Sequence, residues 1–208
     1  MSARTRSILT VTAAFALIPF ALSGCSAPAA APVTETSAPP VIPDNTGLPP
    51  VAASGFTIVL DDGDILGIEV PDTWTDTDTT PTDPFQQISA SPDLAAFYAG
   101  IHSTYDTPGV TILSTQATTK SDDEYIQTYA SQFGPDCQDG QTDAYDDGVF
   151  TGQYLYLPGC GNGADFVAVV AHDPKNSYLV LLTMVLVSDE DKSTNRDHLL
   201  GTFSALYP

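Results

Sequence analysis

The chain is short of positive charge: six Lys and Arg stand against 26 Asp and Glu in 208 residues, a formal net charge of −20. Nucleic acid is excluded as a partner on that ground, because phosphate binding draws on Lys and Arg to displace counterions and an acidic surface repels the polyanion. Anionic membrane surfaces are disfavoured for the same reason. Hydrophobic runs long enough to cross a bilayer are also missing: Ile8 to Leu22 and Tyr178 to Val187 both fall short of the roughly 20 residues that a spanning helix needs. Regular βαβ alternation with a Gly-rich phosphate loop is absent, which argues against a Rossmann fold. There is no Gly-x-Ser-x-Gly elbow and no Cys-x-x-Cys pair, so α/β-hydrolase and thiol-redox chemistry lack their signatures. The three cysteines and three histidines show no zinc-ligand spacing. No cofactor, no metal and no enzymatic activity is expected.

What is present begins with an address. Arg4 and Arg6 precede the apolar run Ile8 to Leu22, which meets Leu22-Ser23-Gly24-Cys25. Basic, apolar and small-residue regions in that order make a secretory signal. The tetrad resembles the bacterial lipobox, in which the Cys is acylated and becomes the first residue of the mature protein. The resemblance implies that residues 1–24 are a signal peptide, that Cys25 carries the lipid, and that the chain is anchored to the outer face of the cytoplasmic membrane. The alternative is an ordinary secretory signal with an incidental Cys.

Residues 25–54 are rich in Pro, Ala, Thr and Ser, lack aromatics, and suit an extended polyproline II stalk. One domain is expected over residues 55–208. Phe56 to Leu60 and Ile65 to Val70, separated by Asp61-Asp62-Gly63-Asp64, predict a hairpin. Phe85 to Ala90 predicts a third strand, and Pro92 to about Gly100 a short helix with Pro at its first position. Gly109 to Leu113 suits another strand. Ser121-Asp122-Asp123-Glu124 fits a capping box for a helix carrying Tyr125, Tyr129 and Phe133 on one face and ended by Gly134-Pro135. Phe150 to Leu157 alternates as a two-faced strand. Phe166 to Ala171 and Tyr178 to Val187 are near-continuous apolar runs, as central strands covered on both faces require. A last helix from about Ser188 takes its apolar stripe from Leu199, Phe203 and Leu206. These elements predict an α/β protein, an α/β/α sandwich on a mainly antiparallel sheet.

The stretch Leu66-Gly67-Ile68-Glu69-Val70-Pro71-Asp72-Thr73-Trp74, followed by Ile88-Ser89-Ala90-Ser91 and Pro108-Gly109-Val110, resembles actinobacterial LpqN/LpqT-type lipoproteins. That resemblance implies a PsbP/Mog1-like fold over residues 55–208 and an accessory or interaction role at the cell envelope, with no catalytic residues to carry over.

Few residues invite a chemical role. Cys137 and Cys160 form an even pair in an exported domain, which favours a disulfide. His102-Ser103-Thr104-Tyr105-Asp106 holds the residue types of a hydrolase triad, but neighbours in one loop cannot converge as a nucleophile and its base must. His172 and His198 read as structural or surface residues. The acidic runs around Asp61, Asp72 to Asp83 and Asp139 to Asp147 lack the ligand spacing of an EF-hand and suit a solvated surface. Trp74, Phe97, Tyr98 and Tyr105 cluster in sequence, either as ordinary core or as a groove for a small lipidic or aromatic ligand. The charge balance points to a partner protein with a basic surface, met by a monomeric domain at the end of its lipid-anchored stalk.

Overall fold

The computed structural model describes residues 52–117 and 120–207; the expected signal peptide, the lipobox-like tetrad with Cys25 and nearly all of the expected 25–54 stalk lie outside them. Strands β1 (Phe56–Leu60) and β2 (Leu66–Pro71) form the expected hairpin, followed by β3 (Asp76–Asp78), β4 (Gln86–Ser91) and helix α1 (Leu94–Gly100). Strand β5 (Gly109–Thr115), helix α2 (Asp122–Phe133), and strands β6 (Gln141–Asp146), β7 (Thr151–Cys160), β8 (Ala164–His172) and β9 (Leu179–Leu186) come next. The chain closes with α3 (Arg196–Thr202) and β10 (Ser204–Ala205).

Seven strands form one sheet in the order β3-β4-β5-β9-β8-β7-β6, every neighbour antiparallel. Its centre follows from the two apolar runs. In β8, Phe166, Ala168 and Val170 pack on one face and Val167, Val169 and Ala171 on the other; in β9, Leu179, Leu181 and Val185 oppose Val180, Leu182, Met184 and Leu186. Side chains alternate across a strand, so only a sheet covered on both sides lets every position be apolar.

The covers differ. Helices α1 and α2 lie on the first face through Leu94, Phe97, Ile126 and Phe133, with the Phe133 ring stacked on Phe166 at 4.1 Å. The second face carries a three-stranded sheet, β1-β2-β10, and α3, which contribute Leu66, Ile68, Val70, Leu199, Phe203 and Ala205. The architecture is thus α/β with a mainly antiparallel sheet, and its second cover is part sheet and part helix.

Helix starts follow local chemistry. Ser121 accepts from Glu124 N–H while the Glu124 carboxylate accepts from Ser121 N–H, the reciprocal box expected at α2. At α1 the cap is Asp93, whose carboxylate accepts from Ala96 N–H, so Pro92 stands just outside the helix instead of at its first position. Gly109 is required where β5 passes beneath α1: a Cβ there would stand 2.6 Å from the Phe97 ring. The last helix is widened to π geometry over Asp191–Asn195 before α3, and Leu206 lies beyond it, 68% exposed, outside the stripe expected of it.

Candidate functional site

Cys137 and Cys160 are joined by a disulfide that ties the 3₁₀ turn after α2 to the end of β7. The loop after α1 docks on the same corner: Asn162 Nδ2 donates to Asp106 (2.7 Å), Asn162 N–H to the Thr104 carbonyl (3.3 Å), and Gly161 N–H to the Asp136 carbonyl (3.0 Å). Tyr105 sits inside this corner, 1% exposed, at a left-handed φ of 56° and with its hydroxyl unpartnered. Burial, then the nearby Asp136, push its phenol up from the ordinary value, so it stays protonated.

The four aromatic residues that cluster in sequence do not share a groove. Trp74 belongs to the core on the three-stranded-sheet side, whereas Phe97 and Tyr105 belong to the core under α1 and α2, on the opposite face of the large sheet. Tyr98 is 45% exposed on α1. Sequence proximity misleads here because β4 and the turns around it carry the chain from one side of the sheet to the other.

The histidines are occupied. His102 stacks on Phe133 at 4.8 Å, His172 Nε2 meets Asp122 at 2.6 Å, and His198 Nε2 meets Glu69 at 2.9 Å while its ring stacks on Phe56 at 3.6 Å. Asp106 is engaged by Asn162, so the His102 to Asp106 loop assembles no nucleophile and base. Two tyrosines of the sheet are donors: Tyr145 donates to Asp147 (3.0 Å) and Tyr156 to Asp165 (2.7 Å), and burial followed by the latter bond pushes the Tyr156 phenol up to about 12.

Many of the acids do structural work that the sequence did not disclose. Asp61 accepts from Ile65 and Leu66 N–H within the hairpin turn, Asp76 from Leu94 N–H, Asp147 from Val149 and Phe150 N–H, and Asp191 from Ser188 N–H. These bonds spend the carboxylates on backbone N–H groups, within turns at Asp61 and Asp147 and across a longer separation at Asp76. Among the described residues, no three His, Cys, Asp or Glu side chains gather as a metal site would require.

One cleft remains near Trp74. A depression of about 450 Å³ runs between β1 and the segment Trp74 to Thr79, lined by Thr57 to Leu60 on one side and Thr75, Thr77 and Thr79 on the other, with Asp72 and Trp74 completing the lining. One end is closed by Asp62 N–H donating to the Thr79 carbonyl (3.4 Å). Sequence reasoning found Trp74 but not the walls, since nothing in Thr-rich residues 75–80 marks them as a sheet edge.

No family model and no curated protein matches this chain. Among solved structures it is similar to the Ran-binding protein Mog1p of Saccharomyces cerevisiae, at 10% identity and a TM-score of 0.46 over 72% of this chain and 95% of that one. It is also similar to cyanobacterial PsbP (CyanoP) from Synechocystis sp. PCC 6803, at 12% identity and a TM-score of 0.46 over 76% and 97% of the two chains. Neither likeness bears on what this chain does.

Proposed function

We propose that the chain is a non-enzymatic interaction module, exported and lipid-anchored through Cys25, whose domain meets a basic surface of an envelope protein. The observation that carries the reading is the disposition of charge. Four basic residues face 24 acidic ones between residues 55 and 208, and three of the four are held locally. Lys192 reaches Asp165 (3.6 Å) and the Gly163 carbonyl (2.6 Å), Arg196 pairs with Asp197 (2.7 Å), and Lys120 lies over the Tyr125 ring at 5.4 Å. The acidic surplus therefore sets the outward field, which favours and steers a cationic partner. The Cys137–Cys160 disulfide suits an oxidising compartment, and the Leu22 to Cys25 tetrad and the LpqN/LpqT resemblance support the anchor and the setting.

Crosslinking in intact cells followed by capture tests this. A basic envelope protein should be enriched and its retention should fall steeply with ionic strength; capture insensitive to salt, or of no basic partner, overturns the reading. Mass spectrometry should find a diacylglycerol thioether on an N-terminal Cys25, and an unmodified N-terminus would refute the anchor. A carrier of a small lipidic or aromatic ligand in the cleft near Trp74 is the second reading, favoured by the cleft's volume. Its walls weigh against it, since five of the nine lining residues are polar and Trp74 is only 4% exposed. Native mass spectrometry of the extracted protein would reveal a bound adduct if the carrier reading were right.

A further inference from the structure

Two sheet edges face each other across the cleft, and their hydrogen-bonding groups point into it. On the β1 side, Asp61 N–H donates to the Leu66 carbonyl (3.1 Å) and Asp72 N–H to the Gly55 carbonyl (3.0 Å). Both bonds keep the register that pairs Thr57 with Val70 and Val59 with Ile68. Bonded and non-bonded pairs alternate in an antiparallel ladder. Thr57 and Val59 therefore turn their N–H and C=O groups toward β2, and Ile58 and Leu60 turn theirs outward. On the other side Thr82 and Phe85 exchange both bonds, at 2.9 and 2.6 Å, in the register that pairs Asp78 with Ser89 and Asp76 with Ser91. By the same alternation Thr77 and Thr79 face away from β4. Thr79 displays that direction by accepting from Asp62; Ile58, Leu60 and Thr77 find no such backbone partner among the described residues.

We propose that this cleft is a strand-addition site. An extended, Lys- or Arg-bearing segment of a partner protein lies between β1 and residues 75–79, bonding to Ile58 and Leu60 on one side and Thr77 on the other. The proposal rests on the interaction-module reading and locates its site. Edge strands are normally protected by charge, bulges or cover. At the far edge of the large sheet β6 carries exposed Asp143 and Asp146, but β1 reads Phe-Thr-Ile-Val-Leu, with neither a charge nor a proline and with Leu60 51% exposed. Charge selects the occupant: Asp72 lines the cleft, Asp62 closes one end, and no Lys or Arg is among the lining residues.

Phage-displayed random peptides panned against the mature full-length chain test the site. Enriched peptides should be basic and extended, and should shift the amide signals of Ile58, Leu60 and Thr77. Methylating alternate peptide N–H groups should weaken them about tenfold. Ile58→Pro removes an outward donor that β2 does not use, at an edge position where proline is tolerated, and should weaken the same peptides about tenfold; if that variant fails to fold, the methylated peptides decide alone. Enriched peptides that are neutral or acidic, or that leave those amides unmoved, overturn the site. So does protection of the same amides in the free protein, whether at all concentrations, when the chain's own N-terminal segment fills the cleft, or only at high concentration, when a second copy does. A basic partner crosslinked elsewhere on the surface refutes the site and leaves the module reading standing, whereas finding no basic partner refutes the reading itself.

Discussion

Asp173 opens the turn between β8 and β9, where its carboxylate accepts from Lys175 N–H (3.1 Å), Ser177 N–H (2.5 Å), Ser177 Oγ (2.8 Å) and Tyr178 N–H (3.1 Å). Burial works to raise its pKa, and the bonds from Ser177, Tyr178 and Lys175 outweigh that and lower it. Asp173→Ala strands those donors and should cost about 2–3 kcal/mol in denaturant unfolding. Glu124 is lowered from its ordinary 4.5 by the Ser121 backbone and hydroxyl bonds. A carboxylate whose folded pKa is depressed stabilises the fold fully above its unfolded value, and the contribution is lost as pH falls through the folded value. Helix signal from α2 should therefore weaken below about pH 4.5, and Glu124→Gln, which keeps a hydrogen-bonding side chain without the charge, should flatten that part of the acid titration. Tyr105 predicts the opposite sign: its buried hydroxyl has no partner, so Tyr105→Phe should leave stability unchanged or raise it by about 1 kcal/mol, read from the melting curve.

Elements with a strong local signal were legible in the sequence. The Ser121 box, the Tyr125, Tyr129 and Phe133 spacing and the paired apolar runs of β8 and β9 each carry a physical cause that operates without knowledge of the rest of the chain. Ser121→Ala should cost about 1 kcal/mol through the lost cap. Removing the staple at the other end of α2, as Cys137→Ser with Cys160→Ser, should cost about 3 kcal/mol on loop-closure grounds, measured as a fall in denaturation midpoint. Strands β3, β6 and β10 were not legible. Asp-Thr-Asp, Gln-Thr-Asp-Ala-Tyr-Asp and Ser-Ala have little to bury, and they are strands because a neighbour offers free ladder groups. The cleft was hidden for the same reason, since one wall is β3 and the residues around it. The second cover of the sheet was read as helix alone because nothing local shows that the β1-β2 hairpin leaves the main sheet to lie across its face.

At the scale of the molecule, the same surplus of acid acts in two directions. Self-repulsion among the acids works against the compact state, so added salt should raise the protein's melting temperature while weakening its hold on the proposed basic partner. A salt series read by calorimetry and by binding should show these opposite slopes, and parallel slopes would remove charge as the basis of recognition. The two ends of the described chain also meet on one strand. β1 pairs with β2 along Phe56↔Pro71 to Leu60↔Gly67, and β10 pairs with the start of β2 at Ser204↔Gly67 and Ala205↔Leu66. Both flanking strands are antiparallel to β2 and hence parallel to each other. Tension applied between a point ahead of β1 and the C-terminal end would load those ladders lengthwise, in shear, so their hydrogen bonds resist together instead of opening one after another. A domain pulled at its two ends would thus be held most firmly across the strand on which its first and last elements converge.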